Sequence, residues 1–129
     1  MRPRLGIVAL VLAGAIALAG CITPSIPIPP PDPGEMDFDV AAGSDGVSSA
    51  VMTYPATSVY HGGVVYVFNQ ATGMGVFQDV NADDSIGPTQ PLAAKIGDQV
   101  SVTIELQSET VSVCVVLQQG TQDPDIYCQ

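Results

Sequence analysis

No tryptophan occurs in this chain of 129 residues, and histidine occurs once. Lysine and arginine together number three, against thirteen aspartates and glutamates. The formal net charge is −10, and the sequence pI is near 4.1. Each shortage removes a class of function. Nucleic-acid binding runs on clustered Lys and Arg facing phosphates, and a chain this acidic cannot supply them. One histidine rules out multi-His metal sites. Without Trp, the largest ring for lining a sugar cleft is missing. Three cysteines are too few for a disulfide-dense scaffold. What is present bounds the answer from the other side. The length allows one domain. Hydrophobic content of 47% and a mean hydropathy of +0.34 exclude a wholly disordered chain, although one N-terminal segment supplies part of both figures.

That segment opens with Arg2 and Arg4 and continues as an uncharged run from Leu5 to Gly20. At 16 residues the run is shorter than the ~20 needed to span a bilayer. It has the form of a secretory signal ending in small residues. The end, Leu18-Ala19-Gly20-Cys21, resembles the lipobox of bacterial lipoproteins. The resemblance implies cleavage before Cys21 and a diacylglycerol on its sulfur. The partner would then be a membrane, and the address the bacterial cell envelope, facing periplasm or exterior. Two or more acyl chains hold a protein stably where one does not, at ~0.8 kcal/mol per buried CH₂. Ile22, where an Asp would favour inner-membrane retention, points to the outer membrane if the source is Gram-negative. The other reading is an ordinary signal peptide followed by an unrelated cysteine. With residues 1–20 removed, Lys95 alone faces thirteen acids, a net charge of −12. The natural small partners of such a surface are cations.

If Cys21 carries lipid, Cys114 and Cys128 remain beyond an export signal. An even pair in an oxidising compartment reads as one disulfide, worth ~3 kcal/mol for a loop of about 15 residues. Two reduced core thiols are the alternative. Residues 21–35 hold Cys21 and the stretch ITPSIPIPPPDPGE. This composition favours an extended polyproline II rod, read as a stalk. A proline-rich ligand for another domain is the competing reading.

Residues 36–129 are rich in Val, Thr, Ser, Gly and Asp and show no amphipathic helical stretch. From Gln99 to Gln107, Val100, Val102, Ile104 and Leu106 alternate with polar residues, the signature of a half-buried strand. Val111, Val113, Val115 and Leu117 repeat it after a turn at Ser108–Thr110, giving a hairpin. Gly63–Asn69 is apolar on both faces and reads as a central strand. Met74–Val80 follows across the turn Gln70–Gly73. Weaker strands fall at Asp37–Ala41, Ser48–Tyr54 and Leu92–Ile96. The expected core is Val65, Val67, Phe77, Val80, Val100, Val102, Ile104, Val113 and Val115. Turns every 8–12 residues place the fold in the all-β class, as a single antiparallel sandwich.

Three stretches carry a resemblance. They are Val67-Phe68-Asn69-Gln70-Ala71-Thr72-Gly73, Val80-Asn81-Ala82-Asp83-Asp84-Ser85-Ile86 and Ala94-Lys95-Ile96-Gly97-Asp98-Gln99-Val100. Together they resemble bacterial Ig-like or carboxypeptidase-regulatory-like repeats over about residues 58–118. Asp84 and Ile86 stand where that pattern has Gly and Phe, and Gly87-Pro88-Thr89 lengthens the loop. The resemblance implies an Ig-like β-sandwich used for spacing, adhesion or binding, with no catalytic residues.

Oxygen-bearing side chains fall at alternate positions Asp79, Asn81, Asp83 and Ser85. A hard Ca²⁺ ion needs six to eight oxygens at short range, and an alternating loop can wrap them around it. Calcium is therefore the one cofactor the sequence raises. Against it, Asp84 stands at the sixth position in place of Gly and Gln90 at the twelfth in place of an acid, so a capped acidic turn fits the same residues. His61 precedes two glycines, as a turn residue does. Tyr54, Tyr60 and Tyr66 either form an aromatic strip for a glycan or protein or pack at sandwich edges. The expectation is a lipid-anchored, non-catalytic binding, adhesion or spacer module for an unknown envelope protein or glycan. The alternatives are a calcium-dependent ligand-binding or adhesion module on the 79–87 loop and, less favoured, a small secreted hydrolase.

Overall fold

The computed structural model describes residues 26–129. Cys21 and the signal-like segment lie outside the described residues. Eight strands are present, and no α-helix occurs among the described residues. In chain order they are β1 (Asp37–Ala42), β2 (Ser48–Thr53), β3 (Val64–Asn69), β4 (Met74–Asp79), β5 (Leu92–Ala93), β6 (Gln99–Leu106), β7 (Glu109–Val116) and β8 (Gly120–Thr121). Short 3₁₀ turns occupy Pro33–Glu35 and Ser58–Tyr60.

Two antiparallel four-stranded sheets result, ordered β5-β2-β1-β8 and β4-β3-β6-β7. The all-β sandwich expected from the turn spacing is thus present. The second sheet runs in the order of the C′, C, F and G strands of an Ig-like sandwich, and β5-β2-β1 in that of E, B and A. The three hairpins β1–β2, β3–β4 and β6–β7 each stay within one sheet, and the other connections cross between sheets.

Period-two alternation explains why these segments pair as they do. In β6, Val100, Val102 and Ile104 are buried, while the intervening Ser101, Thr103 and Glu105 face outward. Val65 and Val67 of β3 oppose Ile104 and Val102, and Val115 of β7 opposes Val100. From the other sheet come Phe38, Ala50, Met52 and Leu92, closing one core. Burying a Val or Leu fully stabilises by ~1.5–3 kcal/mol relative to leaving it exposed. Val113 is partly buried against this core. Phe77 is the correction to the expected set, since it is 70% exposed.

The turn motifs serve as stitches. Asn69 donates from Nδ2 to Asp98 Oδ2 at 2.8 Å and to the Ala93 carbonyl at 2.9 Å. Asp98 Oδ2 also accepts from the Lys95 amide at 3.0 Å, and Asn69 Oδ1 from the Ala71 amide at 2.9 Å. Two motifs read separately as turns thus meet in one buried network across the open end of the sandwich. No buried side-chain polar atom among the described residues lacks a partner, as a native-like interior requires.

Several boundaries differ from the sequence reading. The β6–β7 turn is tighter than Ser108–Thr110, because Leu106 pairs with Glu109 and Gln107 takes a φ of 57°. The β5 strand ends at Ala93, since the chain leaves the sheet to form the Asp98 network. A further strand, β8, pairs Gly120 and Thr121 with Phe38 and Asp37. The packed unit also begins before residue 36. Pro31 is buried, the Tyr60 hydroxyl donates to the Pro29 carbonyl at 2.9 Å, and the Asp32 amide donates to the Tyr54 hydroxyl at 3.1 Å. The Ile28 amide donates to Glu109 Oε2 at 2.9 Å. The second half of the expected stalk therefore lies against the sandwich. An extended proline segment keeps its shape while laying its rings on aromatic ones, so its composition could not distinguish a free rod from a docked one.

Candidate functional site

The outward face of the β4-β3-β6-β7 sheet is built in rows set by strand register. One row runs Phe77, Tyr66, Thr103, Ser112 across the four strands, and the next runs Gly75, Phe68, Ser101, Cys114. The row on the other side is Asp79, Val64, Glu105, Thr110. Tyr66 and Phe68 are 39% and 44% exposed. The Tyr66 and Phe77 rings lie 6.0 Å apart with planes tilted by 32°. Gly75 has no side chain, and Phe68 Cδ2 lies 3.2 Å from where one would start, so the Phe68 ring occupies that space. Three adjoining aromatic rings thus stand open to solvent, in a domain whose core holds one phenylalanine.

The polar groups beside the rings bond to one another. Thr103 and Ser112 hydroxyls pair at 2.9 Å, and Gln70 Nε2 donates to Ser101 Oγ at 2.9 Å. Asp79 and Glu105 differ from them. Among the described residues neither carboxylate has a side-chain hydrogen bond or an ion pair, and both are exposed. Lys95, the one basic side chain of the described residues apart from His61, lies beyond the opposite end of β6, before Gln99.

Tyr54, Tyr60 and Tyr66, read either as an aromatic strip or as packing at sandwich edges, are divided. Tyr54 and Tyr60 pack edge to face at 6.1 Å and are buried under the proline segment. Burial is the largest influence on both phenols. It pushes Tyr60 up to about 12, with the neighbouring Tyr54, Glu35 and Asp32 adding to the effect. It also raises Tyr54. Tyr66 belongs to the open face instead. Its true neighbours, Phe68 and Phe77, were missed as surface residues by the sequence reading. A signal existed for Phe77: Gly75 and Asp79 share its face, whereas Val76 and Val80 share the other.

The acidic loop does not converge its oxygens. Asp79 points out from the sheet. Asn81 turns its amide nitrogen inward, donating to Ser85 Oγ at 3.0 Å and the Gly87 carbonyl at 2.7 Å. Asp83 Oδ1 accepts from both the hydroxyl and the amide of Ser85. Those two bonds hold the Asp83 carboxyl below its ordinary range. Asp84 takes a φ of 68°, the left-handed conformation that favours glycine, and Asp tolerates it better than most residues. Its carboxylate meets His61 Nδ1, which joins the loop to the turn before β3. No group of three or more His, Cys, Asp or Glu able to hold a metal occurs among the described residues. Of the four residues read as calcium ligands, Asn81, Asp83 and Ser85 are engaged in capping the turn, and Asp79 stands apart from them on the sheet face.

Cys114 and Cys128 stand at disulfide distance, 5.7 Å between Cα atoms, inside the usual range for such a pair. Tyr127 bridges to Val115 alongside them. The C-terminal tail thereby covers the β7 edge of the sheet, while no strand covers the β4 edge among the described residues. No family model matches the chain, and neither a curated protein nor a solved structure matches it.

Proposed function

We propose that this protein is a lipid-anchored component of a bacterial cell envelope that acts by binding, without catalysis, through the open face of the β4-β3-β6-β7 sheet. The observation that carries this reading is the exposed Tyr66, Phe68 and Phe77 group. Aromatic side chains dominate interface energetics, and contiguous apolar patches on a soluble domain mark contact sites. A domain that needs core volume and yet leaves these rings outside gives up stability for surface. Binding is favoured over spacing because residues 28–35 fold back on the sandwich, which shortens any tether. The anchor rests on the Leu18-Ala19-Gly20-Cys21 resemblance.

Both parts can be tested in intact cells. Cys21→Ser should move the protein out of the membrane fraction, and continued tight membrane association would remove the lipid anchor from the reading. A photo-crosslinking amino acid in place of Phe77 should give one discrete adduct. The same group in place of Val47, an exposed residue of the β1–β2 turn, should give none. Equal labelling from both positions, or none from either, would refute the face as the binding surface.

A further inference from the structure

We infer that the open sheet face takes an extended protein segment bearing arginine or lysine side chains. The inference rests on the binding reading above and adds the chemistry of the partner. Three observations carry it. First, the aromatic row is bordered on one side by Asp79 and Glu105, which flank Val64 across adjacent strands. Strand spacing puts them about 10 Å apart, so a side chain reaching over Val64 passes between two carboxylates. Second, those carboxylates have no side-chain partner among the described residues, whereas the Thr103, Ser112 and Ser101 hydroxyls and the Gln70 amide on the same face are paired, which leaves only the Tyr66 and Thr110 hydroxyls free beside them. What the face leaves open is chiefly negative charge and ring surface, beside the two hydroxyls of Tyr66 and Thr110. Third, the described residues hold thirteen acids and a single lysine, placed elsewhere. The described residues place no cation beside this face to supply the complementary charge, and a second copy of them would bring another −12 and the same two acids.

Cationic side chains satisfy both open features together. A guanidinium stacks flat on an aromatic ring and forks onto a carboxylate, and an ammonium sits over the ring face. Isolated surface ion pairs contribute little, so the rings supply affinity while Asp79 and Glu105 set the sign of the partner and its approach. A flat pleated face also suits an extended segment better than a helix.

The test uses the full chain in neutral detergent, titrated with a fluorescent peptide of alternating arginine and threonine. Two controls accompany it: the same peptide with citrulline for arginine, and a neutral N-acetylglucosamine oligomer. The arginine peptide should bind, with resonance shifts centred on Tyr66, Phe68 and Phe77. The citrulline peptide should bind at least about tenfold more weakly. The double variant Asp79→Asn, Glu105→Gln should weaken the arginine peptide to a similar degree, and so should Phe77→Ala alone. Equal binding of the two peptides would overturn the inference. So would arginine-peptide binding indifferent to all three substitutions, which would reveal only general attraction to an acidic surface. Binding of the sugar but not the peptide, or dimerisation through this face, would overturn it while leaving the face a binding surface. Failure of every probe would also overturn it, and the Phe77 crosslink then decides separately whether the binding reading survives.

Discussion

Two aromatic groups of nearly equal ring spacing sit in this domain and meet different fates. Tyr54 and Tyr60 lie 6.1 Å apart, and Tyr66 and Phe77 lie 6.0 Å apart. The first pair is sealed by the chain's own proline segment, with Pro29 and Asp32 hydrogen-bonded to the two hydroxyls. The second has no cover among the described residues. Two sheet edges repeat the contrast, since the tail carrying Tyr127 and Cys128 closes β7 and no strand among the described residues closes β4. A ring that the chain covers contributes to folding, and a ring that it leaves open does not need to. Stability and function should therefore separate cleanly between the two groups.

The largest expected effect tests that separation directly. Tyr60 is 2% exposed, and Tyr60→Ala should cost about 3–5 kcal/mol, as other aromatic truncations in cores do. The melting temperature should fall by roughly 12 °C or more. Phe77→Ala, at 70% exposure, should change stability by no more than about 0.5 kcal/mol. Comparable losses from both substitutions would break the comparison, because they would make the open group structural.

Next in size is the covered edge. Replacing Cys114 and Cys128 together by Ser should lower stability by about 3 kcal/mol, and should speed hydrogen exchange at Val115, where the tail bridges to β7. The β4 edge amides should exchange at the same rate before and after. A non-reducing peptide map of exported protein should show the two cysteines linked. Free thiols at both positions would leave the β7 edge covered by backbone pairing alone.

Smaller again is the alkaline response of the sealed pair. Tyr60 is neutral when protonated, and its folded-state value of about 12 lies above the ordinary 10.0. The unfolded chain thus loses this proton first. The stabilisation is complete below about pH 10 and drains away as pH rises toward about 12. Tyr60→Phe should flatten that decline while removing the hydrogen bond to Pro29. An unchanged alkaline decline in the variant would show that the proline cover does not keep Tyr60 dry.

Much of this architecture was legible because alternation is a local signal. The in–out pattern of Val100 to Glu105 fixed both the strand and its buried face. Asn69 and Gly97-Asp98 were readable as turns, yet their meeting was not, because a 2.8 Å bond between residues 29 apart leaves no trace in spacing. The β3 strand was correctly read as central, with Val65 and Val67 as its core residues, but its two apolar faces gave no sign of what covers the other one. A two-layer sandwich has nothing to put over its outer faces, and so Tyr66 and Phe68 emerge on the surface. The two-residue β8 strand is too short for periodicity to register. Its connection is instead held by Gln122, buried and bonded through Nε2 to the Gln118 and Gly120 carbonyls. The loop after β4 followed the same logic. Its path depends on the positive φ of Asp84 and on Gly87 at 84°, where any Cβ would strike the Met52 carbonyl.

That loop supplies the smallest expected effect, and it sharpens the comparison most. Its oxygens belong with the covered side of the molecule if capping exhausts them: Asp83 with Ser85, Asn81 with Ser85 and Gly87, Asp84 with His61. Melts of the full chain in calcium and in chelator should then coincide. A site filled at a hundred times its dissociation constant would add about 2.7 kcal/mol, a rise of roughly 10–20 °C for a domain of this size. Such a rise, abolished by Asp83→Ala, would move the loop to the open side and make a cation its cover. Coincident curves would leave Asp79 and Glu105 as the unpaired acids beside the open rings. The weight of recognition would then fall on the aromatic face beside them.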